Sequence, residues 1–458
     1  MFYIVESKEQ LQKLRNLSST LKDCYVEVVT ANDNIHPALT SVVAVYINLF
    51  EEEKDPETQE VLGWKDGYII PVDHNEGLCV DLEIIQDILL QFETVYVLDR
   101  KATLYFLNHS NFVDLSIAYS MQNYTKLEYF VREKTYNWFY NRYGGRKDLN
   151  KIIPLTKIYE KCKNTFIQIK AAFEINWKEL PGFQFYNRIA SNIFYLIEKE
   201  GIRVDVHDFI EKFHPINPDF SIEGETVYTR YNLCNTTGRP TNSFNSVNFL
   251  AIPKGIEFRR CFKPKNDEFV QMDFDGYHVR LVSSLIGYSI PLDQKAHMYL
   301  AKQYFGKEEI TKEEYKKAKQ TNFQSIYGAI PEEYQHLEFF RKLKASIGEI
   351  WDFYRSEKHV ADILSGKWFT EDLEDMRPTK LMNYLIQSYE TTRNIGVLYK
   401  ALKRLQNCKS KILLVTYDSI LIDWSKEDGE ELLTEIKQIL EQGKFPVSVE
   451  KSKDLNFS

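Results

Sequence analysis

The chain has 458 residues, of which 43% are hydrophobic, 27% charged and 14% aromatic, the composition of a folded, water-facing protein with length for roughly two to four domains. A formal net charge of -8 excludes nucleic-acid binding through overall charge and leaves that task to local basic patches. The six cysteines are scattered with no CxxC pair, which excludes a disulfide framework or a cysteine zinc site and fits a reducing, cytosolic setting; no apolar run reaches membrane-spanning length, and the opening MFYIVESKEQ is too polar for a secretory signal.

The first 120 residues read as α/β. Strands are predicted at Cys24 to Val29, Ser41 to Phe50 and Gly67 to Val72, the last as hairpin partner of the second. A helix at Glu83 to Phe92 and a strand at Thr94 to Leu98 follow, then Asn111 to Met121 and a helix-rich region from Leu127 to Leu180, broken at Gly144-Gly145. Phe185 to Val206 has the pattern of an amphipathic helix capped by Gly201. The segment from Val206 to Tyr228 carries Pro215 and Pro218, which leaves no room for a long helical hairpin.

Phe269-Val270-Gln271-Met272 reads as a buried strand with Asp273 and Asp275 at its end, and Tyr277, Leu281 and Leu285 then fall at helical spacing. A strand that ends in carboxylates can hold a cation at the sheet edge, although an aspartate there is equally a helix N-cap. In the helix from Lys312 to Gly328, Tyr315, Lys319, Phe323 and Tyr327 recur every fourth residue and share one face. An ammonium with two aromatic rings on one face suits a nucleotide: the charge meets phosphates and a ring packs on the base. An amphipathic core helix with a snorkelling lysine has the same pattern.

Pro331 to Gln406 is predicted to be mostly helical, with a turn at Ser365-Gly366-Lys367. Arg341, Lys342, Lys344, Lys400, Lys403, Arg404, Lys409 and Lys411 would either track a phosphate backbone or decorate solvated helix faces. Lys411 to Trp424 reads as strand, tight turn, strand, with Asp418 between apolar arms. An acid there is costly unless it turns into a cleft or meets a cation, which makes Asp418 the natural partner of Asp273. A helix at Glu430 to Gln442 and a strand at Val447 to Lys451 close the chain.

Taken in order, these stretches resemble family A DNA polymerases, the bacterial DNA polymerase I type, over about Phe185 to Lys451. Thr237-Gly238-Arg239, Ser246-Val247-Asn248-Phe249-Leu250-Ala251-Ile252-Pro253 and Phe258-Arg259-Arg260-Cys261-Phe262 resemble the family's Thr-Gly-Arg turn, its Pro-Asn-Leu-Gln-Asn-Ile-Pro loop and its Ile-Arg-x-x-Phe strand. Asp273-Phe274-Asp275-Gly276-Tyr277-His278-Val279-Arg280 resembles motif A, with His278 where the family has the glutamate that blocks a ribose 2′-hydroxyl. Gln294 to His297 resembles the entry to the fingers. Ala318, Lys319, Asn322, Phe323, Tyr327 and Gly328 match motif B, with departures at Tyr315 and Gln324. Asn383-Tyr384-Leu385-Ile386-Gln387 resembles the helix that contacts the primer end, with Thr392 where the family has an acid. Tyr417-Asp418-Ser419 resembles motif C, usually His-Asp-Glu.

The resemblance implies an α+β multidomain fold: a ribonuclease-H-like, exonuclease-like α/β domain over 1–165, then a right-hand polymerase domain over 166–458. The latter would have an antiparallel palm sheet, helical fingers over about 290–375 and a thumb reduced to about 185–228. It implies template-directed addition of dNTPs to a primer 3′-OH. Asp273 and Asp418 would hold two Mg²⁺ ions (Mn²⁺ can substitute), and Lys319 would act on the leaving pyrophosphate. Tyr315, Lys319, Phe323, Tyr327, His278 and His297 would bind the nucleotide. Arg239, Asn248, Arg259, Arg280, Asn383 and Gln387 would bind primer-template DNA.

The first domain would be a degenerate 3′–5′ exonuclease. Its Asp-x-Glu motif reads Glu27-Val28-Val29, and its Tyr-x-x-x-Asp motif falls on Tyr159 and Lys163, so Glu27 and Asp114 are too few acids for two metals. His278 and Ser419 motivate an alternative that accepts ribonucleotides, primase- or RNA-polymerase-like, and a non-catalytic DNA-binding replication subunit is the remaining one. Compactness suggests a viral or mobile-element enzyme in a host cytoplasm, working with a processivity factor, helicase or primase and without a membrane.

Overall fold

A computed structural model describes residues 3–55, 61–130, 134–216, 222–242, 247–253, 255–370 and 375–457. Pro218 and Ser246, which entered the sequence reading, lie outside the described residues. The chain divides into two compact units, one of Met1–Lys199, Phe213–Arg230 and Asn242–Asn248, the other of Glu200–Lys212, Tyr231–Thr241 and Phe249–Ser458.

The first unit is built on a six-stranded sheet. Its strands are β1 (Tyr3–Ile4), β2 (Asp23–Thr30), β3 (Val42–Asn48), β4 (Tyr68–Pro71), β5 (Thr94–Val97) and β6 (Phe112–Asp114), in the spatial order β1-β4-β3-β2-β5-β6. β2, β3 and β4 are antiparallel neighbours, with Glu27 opposite Tyr46 and Val45 opposite Ile70. β5 and β6 run parallel to β2. Three antiparallel strands continued by two parallel ones form the ribonuclease-H-like arrangement. The β-branched and aromatic side chains of β2 and β3 dictate it: Tyr25, Val29, Val43, Val45, Tyr46 and Ile47 are fully buried between helices on both faces. Those helices are α1 (Lys8–Ser18), α2 (Leu82–Leu89), α3 (Leu115–Asn123), α4 (Lys134–Tyr143) and α5 (Leu155–Gln168). The expected pairing of Gly67 to Val72 with the second strand holds, with a small ribbon, Glu52–Lys54 against Val61–Trp64, between them.

The helix expected over Phe185 to Val206 is shorter. A π-helical turn at Phe185–Ala190 leads into α6 (Ser191–Glu198), and Gly201 at φ 60° turns the chain into β7 (Ile202–Val204). Its left-handed backbone is the reason glycine stands there.

In the second unit, β7 pairs antiparallel with β8 (Phe262–Lys263). The central element is a four-stranded antiparallel sheet in the order β12-β13-β9-β14, made of β9 (Glu268–Phe274), β12 (Lys411–Thr416), β13 (Ser419–Trp424) and β14 (Val447–Ser452). β9 lies between β13 and β14, with Val270 opposite Ile422 and Met272 opposite Val449. Behind the sheet lie α7 (Tyr277–Leu285), the long α11 (Pro378–Arg404) and α12 (Gly429–Glu441). α8 (Ala296–Phe305), α9 (Lys312–Tyr327) and α10 (Glu338–Glu357) form a helical subdomain around Leu300, Ile326, Phe339, Phe340 and Leu343. Between α10 and α11 a hairpin, β10 (His359–Ala361) and β11 (Trp368–Thr370), carries the predicted turn. Among the described residues no helix is long and apolar enough to cross a membrane.

Candidate active site

Two turns place the acids. At the end of β9 the chain passes through Gly276 (φ 52°), where a Cβ would stand 2.7 Å from the Ala296 side chain, so only glycine makes this strand-to-helix turn. Across the sheet, Tyr417 adopts φ 53° in the β12–β13 turn. Side chains other than Gly, Asn and Asp rarely hold that conformation, and Asn394 secures it by donating from Nδ2 to the Tyr417 carbonyl at 2.9 Å. Asp273 faces Ser419 across the ladder, and the Phe274 N–H donates to the Asp418 carbonyl at 3.0 Å. The two carboxylates therefore open into one pocket of about 200 Å³, with His278, His297, Tyr315, Lys319 and Phe323 also in its walls.

Burial, then the nearby Asp418 and Glu450 carboxylates, push the Asp273 carboxyl up to about 6, with Lys319 pulling the other way. Asp418 is also raised, chiefly by burial, with Glu390 adding to it while a main-chain hydrogen bond, His278 and Arg239 oppose. Among the described residues neither acid forms an ion pair. Two neighbouring carboxylates, Asp273 half-buried and Asp418 exposed at the surface of the cleft, with no cation of the described residues in ion-pair contact, suit divalent metal. The one cluster that gathers three potential ligand groups among the described residues, His207, Asp208 and Glu211, lies on a helix elsewhere and is mostly exposed.

α9 presents the expected face. Thr311 and Glu314 form a capping box that starts the helix. Ala318, Asn322 and Ile326 face the core, leaving Lys319 and Phe323 exposed toward the pocket and Tyr327 half-buried. The Phe323 and Tyr327 rings lie nearly parallel, 6.2 Å apart. Tyr315 meets His297 edge-on at 6.4 Å. Burial and then Lys319 push the His297 imidazole down to about 4, so it is neutral at pH 7; its Nδ1 lies 2.9 Å from Asn322 Nδ2 and accepts from it.

Arg239 sits at the Thr-Gly-Arg turn with its guanidinium 3.8 Å above the Tyr417 ring, beside the turn that carries Asp418. Gln387 Nε2 donates to Asn383 Oδ1 at 2.8 Å, and Thr237 Oγ1 lies 3.4 Å from Gln387 Oε1, so three of the residues expected to meet DNA are grouped in this unit. Asn248 is exposed and belongs to the other unit. Arg259 donates to the Pro253 and Leu455 carbonyls, each at 3.4 Å, and pins the end of the chain.

Arg280 requires a correction. Its side chain is 4% exposed, ion-paired to Asp275 at 3.0 Å, and donates to the Gln294 carbonyl at 2.5 Å. It cannot reach a nucleic acid; it braces the turn. Asp275 in turn accepts from the Ala296 N–H at 2.8 Å and so ties motif A to the start of α8.

Glu390 is the site residue that sequence reasoning missed. Only 2% of its side chain is exposed, with Arg239 Nη2 at 3.2 Å and His278 Nε2 at 2.9 Å from its Oε2. His278 Nδ1 meets the Tyr327 hydroxyl. The signal was present as spacing: Asn383, Gln387 and Glu390 lie four and three residues apart, hence on one face of α11.

The first unit has its own cleft, of about 540 Å³, with Glu27, Asp33, Asp99, Tyr136, Lys161 and Arg230 in its walls. Lys161 Nζ lies 3.6 Å from Glu27 and 2.7 Å from Asp33. Arg230 pairs with Asp99 at 2.7 Å. Asp114 caps α3 and accepts from the Arg100 N–H. Each acid of the cleft is held by a cation or backbone of the chain itself. Lys163, expected at the altered motif, points elsewhere and pairs with Asp66 at 2.6 Å; it is Lys161, two residues earlier, that reaches Glu27.

No protein-family model matches the chain. In sequence it is 26% identical over 297 residues to DNA polymerase I of Synechocystis sp., a match that takes in 52% of this chain and 30% of the relative, so it spans well under half of that protein. In fold it is similar to the POL domain of Pol1 from M. smegmatis, solved in complex with DNA primer-template and dNTP, with a TM-score of 0.70 at 14% identity over 99% of each chain.

Proposed function

We propose that this chain is a family A DNA polymerase that adds dNTPs to a primer 3′-OH under the direction of a template. The observation that carries the reading is the meeting of Asp273, Asp418, Lys319 and Phe323 in one pocket, from elements far apart in sequence. Asp273 and Asp418 would hold two divalent ions, magnesium with manganese as substitute, as two adjacent raised carboxyls without an ion-paired cation among the described residues suit. When bound, such ions lower the pKa of the 3′-hydroxyl and stabilise charge on the transferring α-phosphate.

The chain's own groups do the rest. Lys319 brings a cation to the phosphates and the leaving pyrophosphate. The Phe323 ring, exposed at the pocket, would pack on the base. Neutral His297 lies beside them without competing for the phosphates. Arg239, above Tyr417, would enter the minor groove with Gln387 and Asn383 and check the shape shared by all base pairs.

The first unit we read as an exonuclease-like domain over 1–165 without nuclease activity, because Lys161 and Arg230 supply the positive charge that metals would otherwise bring. The polymerase domain would then take in 166–458, with a reduced thumb. Primer extension with magnesium and dNTPs tests the function. Extension by the wild type that is lost in Asp273→Asn and in Asp418→Asn supports it, and extension that survives both refutes the site.

A further inference from the structure

We propose that Glu390 sets the sugar selectivity of the nucleotide pocket by locking the orientation and tautomer of His278. This rests on the polymerase reading above. A nucleotide with phosphates by Lys319 and the two acids, and its base against Phe323, must pass its sugar between them along His278, which lines the same pocket.

The Nε2 of His278 is buried. Among the described residues the Glu390 carboxylate is the charged group that faces it, 2.9 Å away though off the line of a hydrogen bond. A nitrogen lone pair so close to a carboxylate would be repelled, so the proton resides on Nε2. Nδ1 is then the acceptor for the Tyr327 hydroxyl. Arg239 Nη2, 3.2 Å from the same Oε2, holds the carboxylate in place from its other side. With Nδ1 engaged by Tyr327 and Nε2 buried against Glu390, the ring offers a ribose 2′-hydroxyl neither donor nor acceptor. A deoxyribose loses nothing there. A ribose hydroxyl would be stripped of water and left unpaired, which disfavours it by roughly tenfold to a hundredfold. The acid that governs the sugar thus acts from α11, one residue removed from the pocket wall, and Glu390 is a positioning residue.

The test is single-turnover incorporation of dNTP against rNTP on a primed template, with the full chain carrying Glu390→Ala, His278→Ala or both. The wild type is expected to prefer dNTP, and Glu390→Ala to lower that preference by about tenfold or more. In the His278→Ala background the same substitution should leave the ratio unchanged. Glu390→Gln, which keeps an oxygen beside Nε2 in a side chain of the same size, should keep most of it. If Glu390→Ala does not fold, Glu390→Leu fills the space and carries the same expectation. An unchanged ratio in Glu390→Ala, or a change that persists in full without His278, overturns the proposal. A wild type that extends no primer with either sugar overturns the polymerase reading and this proposal with it, an outcome distinct from extension at an unaltered ratio.

Discussion

Asp273 stands opposite Ser419 across the β9–β13 ladder, so Asp418, one residue earlier in the turn, is brought beside it by backbone register. The consequence is electrostatic. Burial and its carboxylate neighbours raise Asp273 to about 6, whereas an aspartate in an unfolded chain ionises near about 3.9. Between those values the native state keeps a proton that the unfolded chain has lost. The stability this contributes is complete below the lower value and is lost as pH rises through the higher one. Discounted for the partial exposure of Asp273, the loss is about 1 kcal/mol. Thermal unfolding without divalent ions should show it between pH 4 and 6, and magnesium should raise the transition more at pH 7.5 than at pH 5, because protons compete with the metal.

Lys161 gives a prediction for the other unit. It is almost fully buried against Glu27 and Asp33, so Lys161→Ala leaves two acids facing each other without a cation. Loss of one partner from a buried pair costs about 3 kcal/mol, readable as a lower unfolding midpoint in urea. The wild type should leave a labelled single-stranded 3′ end intact in magnesium. Degradation that disappears on Glu27→Ala would contradict the reading of this cleft.

Arg280 separates stability from DNA binding. Arg280→Ala should cost about 2 kcal/mol by removing a buried guanidinium that holds half-buried Asp275 and the Gln294 carbonyl. Below the unfolding transition, its affinity for primer-template measured by fluorescence anisotropy should match the wild type. Weakened DNA binding in folded protein would restore the direct contact that its burial argues against.

Lys319 is exposed at the pocket, and among the described residues it makes no hydrogen bond or ion pair that would hold the helix in place. Lys319→Ala should therefore leave the unfolding midpoint unchanged and lower kcat/KM for dNTP roughly tenfold to a hundredfold, the worth of a charge-assisted bond to phosphate. Steady-state primer extension across dNTP concentrations measures it.

The site was legible where chemistry repeats at the period of one element. The four-residue spacing of Tyr315, Lys319, Phe323 and Tyr327 is a property of α9 alone, and the apolar arms around Asp418 belong to one hairpin. The strands of the first unit's sheet were likewise foreshadowed by runs of β-branched residues. What sequence did not disclose depends on partners far along the chain. Arg280 resembles a DNA contact until Asp275, the Gln294 carbonyl and the closing of α8 bury it. Glu390 acquires meaning only once α11 lies beside both the Thr-Gly-Arg turn and motif A. Lys161 rather than Lys163 meets Glu27 because two residues turn a helix by more than half a circle, and the motif spacing alone could not say which side faced the sheet.

The central claim is that Asp273 and Asp418 together support nucleotide addition. Single-turnover primer extension with dNTPs and magnesium, compared among wild type, Asp273→Asn and Asp418→Asn at matched folding, measures it most directly. The account predicts rapid extension by the wild type and a loss of roughly a hundredfold or more in each variant. Extension at the wild-type rate by either variant would contradict it.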